Sequence, residues 1–247
     1  MRKTAFPAIL ALAFLTTAAA AEEPSDEAAE FVRGNVLSIL YHEFGHALVD
    51  ILGVPVMGRE EDAADALSVV LTNEMWDEDM ARTTAWATAE FWLQSASDNA
   101  DEEPAYADVH GLDMQRHFTH VCLFYGANPD ARGDFVTEFE LPEERAEGCA
   151  DEYARTAESW GLYLDEIATD EPGTSISMDV DPADSILIVL GNEVEGLNER
   201  YVLPEGLTVS LESCGEINAF YDSATMSVTF CTEYVDYLWE QTEAMGL

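Results

Sequence analysis

Two histidines and a glutamate, His42, Glu43 and His46, have the types and spacing of a metal-binding motif, HEFGH. Residues four apart lie one above the other on one face of an α-helix, so both imidazoles would point at a common position. Glu43 would lie beside them on the next stripe of the helix. Two histidines at this spacing with an intervening glutamate typically bind zinc and keep a general base close to the attacking water. The pattern therefore predicts a zinc-dependent hydrolase.

A third metal ligand is predicted on a following helix that begins near Arg59. A catalytic zinc ion needs three protein ligands and one open position. Glu61 has the type and position of that third ligand, and Asp65, one turn later, could accept the outer N–H of a ligand histidine. Glu60 and Asp62 are alternatives to Glu61, because the sequence does not fix a helix register to within one residue. The acidic run is also typical of a first turn that only complements the helix dipole.

The sequence around the two histidines predicts the helix that holds them. The segment from Asn35 to Leu52 has apolar residues at positions 37, 40, 44, 48 and 51, which is the helical period of a stripe that faces the core. His42 and His46 lie off that stripe. Gly53 is then typical of a helix end, and Pro55 prevents continuation. The metal-binding face and the core-facing face of this helix are therefore predicted to be separate.

Four segments resemble the bacterial "putative metallopeptidase" family, a gluzincin-like group in which HExxH is followed by ExxAD. They are YHEFGHALVDILGVPVMGREEDAADALS, DVHGLDMQRHFTHVCLFYG, LPEERAEGCADEYARTAESW and CGEINAFYDSATMSVTFCTEYV. The resemblance covers most of the chain after residue 21 and includes His110. It implies zinc and peptide hydrolysis, without implying a particular substrate.

His110 opens a segment, Ala107 to Tyr125, that we predict to be largely helical. One hypothesis places His110 at the rim of the zinc site, where it donates a hydrogen bond to the oxyanion of a tetrahedral intermediate. The alternative is a local hydrogen bond at the start of the helix. Arg116 is one of eight basic residues after residue 21, and we expect it to pair with carboxylates. A clamp for a substrate carboxylate is the alternative for Arg116.

Residues 1–21 predict an export signal. Arg2 and Lys3 form a basic start, Ala5 to Leu15 form an apolar stretch too short to span a bilayer, and a small-residue cleavage zone ends at Ala21. Cleavage after Ala21 would release a periplasmic or secreted protein that does not insert into the membrane.

The chain is strongly acidic, with 10 basic and 50 acidic residues and a formal charge of −40. This charge argues against nucleic acid as a partner, because the phosphates would be repelled, and against anionic membrane surfaces. A saline habitat that screens self-repulsion explains the charge, and attraction of cationic substrates is the alternative. The expected partner is a peptide or protein substrate, and the oligomeric state stays open.

Four cysteines, an even number in a chain predicted to be exported, indicate two disulfides. Of the three pairings we predict the local ones, Cys122–Cys149 and Cys214–Cys231, the second of which would join two strands that flank a turn. The spacings include no C-x-x-C, so we do not expect a thiolate zinc site.

The hydrophobic patterns predict an α+β fold with a mainly helical core that contains the HExxH helix, and the resemblance implies that this core is zincin-like. Residues 22–173 form the helical region, and residues 174–247 a β-rich region that completes the same domain. In the second region SISMDV, SILIVL, LTVSLESC, NAFYD and MSVTFC are interpreted as short strands of a small antiparallel sheet, and Thr232 to Met245 as a final helix. The resemblance implies that this sheet supports the metal helix, and a strand edge there could hold a peptide.

Two other functions are compatible with these motifs: a non-catalytic envelope binding protein with a structural or vestigial zinc site, and a zinc amidase that acts on a non-peptide substrate. Glu43 argues against the first, because a purely structural site needs no extra carboxylate beside the metal. The sequence therefore predicts an exported metallopeptidase with one Zn²⁺ ion. In this prediction His42, His46 and Glu61 bind the metal, and Glu43 and His110 are catalytic.

Overall fold

The computed structural model describes residues 24–178 and 185–247, so the predicted signal at residues 1–21 lies outside the described part. The elements in chain order are α1 (Asp26–Leu52), α2 (Glu60–Met75), α3 (Glu78–Asp98), α4 (Asp113–Ala127), α5 (Gly133–Glu138), α6 (Glu143–Ala146), α7 (Cys149–Ile167), β1 (Ile176–Met178), α8 (Ser185–Arg200), β2 (Leu207–Glu212), β3 (Ala219–Asp222), β4 (Ser227–Cys231) and α9 (Thr232–Met245). The predicted α+β class is confirmed. Among the described residues no helix has the length and apolar character needed to cross a membrane.

Helix α1 carries the HExxH sequence and is the central element of the fold, because α2, α3, α8 and α9 and strands β3 and β4 all pack against it. It begins at Asp26, well before the periodic segment from Asn35 to Leu52, and the side chain of Ser25 accepts a hydrogen bond from the N–H of Ala28 at 3.0 Å and caps the first turn. It ends at Leu52, where Gly53 adopts the left-handed conformation with φ +65°. The end of α1 therefore agrees with the end predicted from Gly53.

The four strands form a mixed sheet in the order β1-β2-β4-β3. β1 pairs with β2 and β2 with β4 in parallel, whereas β3 pairs with β4 antiparallel. The prediction of an antiparallel sheet is therefore correct only for the β3–β4 hairpin. A parallel pair needs a crossover connection, and α8 connects β1 to β2.

The segment SILIVL is not a strand, contrary to the prediction, because it forms the first turns of α8. Ile186, Leu190, Val194 and Leu197 are all buried, and their spacing is that of one face of a helix. A run of five apolar residues fits a strand and a buried helix equally well. The helical period becomes visible only when the residues that follow are included.

The larger of two hydrophobic clusters joins the helical region to the β-rich region. It contains Phe31 and Leu48 of α1, Leu190 of α8, Phe230 of β4 and Leu238 of α9, all with 0% exposure. The sheet therefore packs on the metal helix through a shared core. We infer that residues after 174 complete one domain with the residues before them.

The smaller cluster surrounds the disulfide between Cys122 of α4 and Cys149 of α7. Gly126 lies one turn after Cys122, where the two helices come very close together. A Cβ atom on Gly126 would lie 2.2 Å from the carbonyl oxygen of Cys149. Only glycine fits this position without movement of the backbone.

The substitution Gly126→Ala should therefore destabilise the protein by about 2–3 kcal/mol or more, because the α4 and α7 backbones must separate. Gly161→Ala is the matched control in α7, since a Cβ there meets no atom within 4 Å. We expect this control to stabilise the helix by up to about 1 kcal/mol. Denaturant unfolding with the disulfides intact measures both changes, and wild-type stability in Gly126→Ala would contradict the close approach.

One carboxylate holds the connection from β2 to β3. Glu233, in the first turn of α9, accepts hydrogen bonds from Ser213 Oγ at 2.7 Å and from the N–H groups of Cys214 at 3.1 Å and Gly215 at 2.9 Å. These hydrogen bonds lower the pKa of Glu233 to about 2. Cys214 also forms the second disulfide, with Cys231. The loop that leads into β3 is therefore held by a disulfide and by the hydrogen bonds to Glu233.

The stability lost in Glu233→Gln should depend on pH. The pKa of Glu233 in the folded state is about 2, below the value of about 4.3 expected in the unfolded chain. The ionised carboxylate therefore stabilises the fold above about pH 4.3, and this contribution disappears as the pH falls towards 2. Thermal unfolding between pH 7 and pH 2.5 should show a difference in Tm that narrows in acid.

Glu240→Gln, at an exposed position of the same helix, is the control for the general loss of one negative charge. A difference in Tm between wild type and Glu233→Gln that stays constant over this pH range would contradict the prediction.

Candidate metal centre

Three side-chain atoms from α1 and α2 converge on one point. His42 Nε2 and His46 Nε2 lie 3.2 Å apart, and each lies 3.2 Å from Oε2 of Glu61. Ligand atoms about 2.0–2.1 Å from a tetrahedral zinc ion would lie roughly 3.3 Å from one another. The triangle formed by these three atoms therefore has the dimensions of one face of a tetrahedral zinc site. We call these residues the His–His–Glu triangle.

The second ring nitrogen of each histidine faces a carboxylate. His42 Nδ1 lies 2.8 Å from Asp65 Oδ1, and His46 Nδ1 lies 2.7 Å from Glu60 Oε1. Because an ionised carboxylate only accepts hydrogen bonds, each Nδ1 carries the proton. With the proton held on Nδ1, each Nε2 would offer its lone pair to a metal ion in the triangle, which is the tautomer of a metal ligand.

The register of α2 decides which of its carboxylates enters the triangle. The helix begins at Glu60, and Glu61 and Asp65 lie four residues apart on the face that meets α1. Glu60 reaches His46 from the side and stays outside the triangle. Asp62, the other alternative ligand, pairs with Arg59 instead, at 3.0 Å.

Gly45 lies between the two histidines and allows α2 to approach. A Cβ atom on Gly45 would lie 3.0 Å from Cα and 3.2 Å from Cβ of Ala64. A larger residue at either position would push the two helices apart and move Glu61 away from the histidines.

Burial and charge at the triangle favour a bound cation. Burial lowers the pKa of His42, but hydrogen bonds to Asp65 and Glu61 outweigh it and raise that pKa to about 9. Burial raises the pKa of Glu61, but hydrogen bonds from His110 and the two triangle histidines outweigh it and hold that pKa well below its usual range. The surrounding carboxylates therefore stabilise a positive charge at the triangle, whether it comes from a proton or from a metal ion.

Glu43 lies beside the triangle and is only 5% exposed. Burial raises its pKa, and the neighbouring charges of His42 and His46 lower it in part. The backbone N–H of Tyr221 in β3 faces the Glu43 carboxylate and also lowers its pKa. A buried carboxylate with a raised pKa is suited to accept and release a proton.

His110 reaches the triangle from the loop that precedes α4. Its Nε2 lies 3.0 Å from Glu61 Oε2, and its Nδ1 lies 3.1 Å from Asp108 Oδ1. Its carbonyl oxygen accepts a hydrogen bond from Arg59 Nη1 at 2.9 Å. Both the rim position and the local hydrogen bond considered from the sequence are therefore present. The helix predicted from residue 107 begins only at Asp113, so His110 lies in a loop.

An open cleft of about 680 Å³ lies over the triangle. One side is formed by α1 and α2, and the other by the loop that carries His110 and by strand β3. β3 lies at the edge of the sheet. The N–H of Cys231 donates to the carbonyl of Asn218 at 3.0 Å, so these two residues form a hydrogen-bonded pair. Hydrogen-bonded and non-hydrogen-bonded pairs alternate along an antiparallel ladder. Ala219 and Tyr221 therefore turn their backbone groups away from β4.

Three contacts of this site were not predicted from the sequence. Glu60 was considered only as an alternative ligand, although an acidic residue next to a ligand position is a signal for such a partner. The N–H of Tyr221 is a backbone donor, which no residue type signals. Arg116 was expected to pair with a carboxylate, but its partner Asp65, 2.6 Å away, was not identified.

A protein-family model described as "Putative metallopeptidase" matches residues 9–164 and 187–246. The matched residues include the His–His–Glu triangle, Glu43, His110 and strand β3. No curated protein and no solved structure matches the chain.

The adjacent residues Glu60 and Glu61 give a matched pair of variants. Glu61→Gln should weaken Zn²⁺ binding more than about a hundredfold, because several ligands share a total binding free energy on the order of 10–16 kcal/mol. Glu60→Gln should weaken binding only about tenfold, because it acts through the orientation of His46. Competition with a chelator measures both affinities, and a larger loss in Glu60→Gln than in Glu61→Gln would reverse the assignment.

Proposed function

Because the chain belongs to the family described as "Putative metallopeptidase", we propose that it is an exported, zinc-dependent peptidase. The observation that carries this proposal is the triangle of His42, His46 and Glu61, whose three edges are each 3.2 Å. A structural zinc site is closed by four protein ligands, whereas this triangle opens into a cleft. The arrangement therefore favours a catalytic site over the purely structural site of a binding protein.

A zinc ion held by these three residues would polarise the scissile carbonyl and lower the pKa of an attacking water towards about 7. Glu43 would accept the proton of that water and pass it to the leaving amine. Its raised pKa, caused by burial, suits both halves of this transfer. Glu43 and Tyr221 both line the cleft over the triangle, so the carboxylate would be within reach of a substrate held there.

His110 would stabilise the oxyanion of the tetrahedral intermediate by donating a hydrogen bond from Nε2. The hydrogen bond to Glu61 raises the pKa of His110, and burial lowers it to a smaller extent. Asp108, 3.1 Å from Nδ1, holds the ring in place and favours its protonated form. The exposed position of His110 on the cleft is compatible with this role.

Strand β3 would hold the substrate in an extended conformation by strand addition. Ala219 has both backbone groups turned away from β4, and Asn218 and Phe220 also border the cleft. Within the described residues, no strand pairs with the outer edge of β3. An edge that offers backbone hydrogen bonds suits a peptide better than a small amide.

The proposed periplasmic or secreted location rests on two observations. Disulfides such as Cys122–Cys149 and Cys214–Cys231 are typical of oxidising compartments. Residues 1–21 have the pattern of an export signal, which remains a sequence-based prediction.

The decisive variant is Glu43→Gln, which removes the proposed base and retains the three ligands. Hydrolysis of a denatured protein mixture should fall about 10²- to 10⁴-fold, while the purified protein still binds about one zinc ion. Proteolysis is followed by the release of new amino termini, and metal content by mass spectrometry.

Glu30→Gln, at an exposed position of the same helix, should retain full activity. Undiminished hydrolysis in Glu43→Gln would show that Glu43 is not the base. A wild-type protein that cannot be loaded with zinc would contradict the metallopeptidase proposal and favour a binding protein.

A further inference from the structure

We propose that Arg116 is a positioning residue that sets the affinity of the metal centre by orienting His42 through Asp65. This inference rests on the proposed zinc site. Arg116 lies on α4, which contributes no atom to the His–His–Glu triangle. It is joined to the triangle by a continuous series of contacts, from the guanidinium to Asp65 and from Asp65 to His42.

The first contact fixes the plane of the Asp65 carboxylate. Arg116 Nε lies 2.7 Å from Oδ2 and Arg116 Nη2 lies 2.6 Å from Oδ1 of Asp65. A carboxylate with one partner can rotate about its Cβ–Cγ bond, whereas two parallel hydrogen bonds from a planar guanidinium prevent that rotation. Asp65 is therefore held in one orientation.

The second contact transmits this orientation to the metal ligand. Asp65 Oδ1, which accepts the hydrogen bond from Arg116 Nη2, also lies 2.8 Å from His42 Nδ1. The position of that oxygen determines where the Nδ1–H bond points. Because Nε2 lies on the opposite side of the same rigid ring, it also determines the direction of the lone pair in the triangle.

Arg116 is itself held by an aromatic ring on a third helix. Its Cζ atom lies 3.7 Å from the centre of the Trp92 ring on α3. The side chain of Arg116 is only 9% exposed. A lysine could neither stack on Trp92 in this way nor donate to both oxygens of Asp65 from a fixed plane. The geometry thus requires arginine and not merely a positive charge.

The contact between Arg116 and Asp65 lies outside the cleft over the triangle. The described residues that line the cleft over the triangle include His42 but not Arg116. Arg116, Asp65 and His42 instead share the lining of a cavity of about 10 Å³ behind the histidine, which is about the size of one water molecule. Arg116 also borders an open space of about 510 Å³ that His110 lines as well. Because its Nε and Nη2 atoms both donate to Asp65, these contacts favour the positioning role over a clamp for a substrate carboxylate.

Arg132 offers a matched control in the same molecule. Its guanidinium also donates two hydrogen bonds to one carboxylate, that of Glu78, at 2.9 and 2.8 Å. Its Cζ atom also lies 3.7 Å from the centre of an aromatic ring, that of Phe124. Arg132 is 3% exposed, and its remaining hydrogen bonds go to Asn73 and to the Phe124 carbonyl. It therefore reproduces the chemistry of Arg116 without a link to His42.

The test compares the Zn²⁺ affinities of wild type, Arg116→Lys and Arg132→Lys by chelator competition, under conditions where circular dichroism shows all three to be folded. Arg116→Lys should bind Zn²⁺ about 10- to 100-fold more weakly. Arg132→Lys should lower the Tm but change the affinity by no more than about twofold. Equal losses of affinity in the two variants, or wild-type affinity in Arg116→Lys, would overturn the inference.

A double-mutant cycle tests the route through Asp65. In an Asp65→Asn background, the additional substitution Arg116→Lys should weaken Zn²⁺ binding by no more than about twofold, because the connecting carboxylate is already lost. Fully additive losses would show that Arg116 does not act through Asp65. If Arg116→Lys does not fold, Trp92→Leu leaves the arginine in place and should still weaken Zn²⁺ binding, and an unchanged affinity would overturn the proposal.

These outcomes separate the inference from the function on which it rests. A wild-type protein that binds no Zn²⁺ would overturn the proposed metal centre. If the wild type binds Zn²⁺ tightly and Arg116→Lys binds it with the same affinity, only the positioning role is overturned.

Discussion

The close approach of α1 and α2 at Gly45 is the constraint on which the candidate site depends. The two histidines come from one helix, but the triangle is completed only when Glu61 of the next helix arrives within 3.2 Å of both. A Cβ atom on Gly45 would lie 3.0 Å from the Cα of Ala64. Small residues at this crossing therefore make the geometry of the triangle possible, and large buried apolar residues of α1, such as Phe31 and Leu48, hold the helix in the core.

Electrostatics is the second requirement, because four carboxylates surround the two histidines. Glu43, Glu60, Glu61 and Asp65 all lie around the two histidines, and Arg116 pairs with only one of them. Buried negative charges are stable only with a partner. A divalent cation in the triangle would supply that partner, so the same groups that fix the histidine tautomers also favour metal binding.

The sheet contributes to the site through its edge rather than through its core. Strand β3 places a backbone N–H against Glu43, and the side chain of the same residue, Tyr221, donates a hydrogen bond to Asp50 at 2.8 Å. Glu43 and Asp50 lie seven residues, or two turns, apart on α1, so one strand residue contacts the helix at two points along one face. The disulfide at Cys231 and the carboxylate of Glu233 hold the hairpin from its other end.

The sequence by itself determined the features that depend on neighbouring residues: the α+β class, the helix that ends at Leu52, the common face of His42 and His46, and the final helix α9. Helical spacing and end signals are local properties, so they can be read without knowledge of the fold. Only the tertiary structure placed Glu61 rather than Glu60 in the triangle, made SILIVL the first turns of α8, and joined Arg116 to Asp65. Each of these outcomes depends on contacts between elements distant in the chain, where packing and burial outweigh local preference.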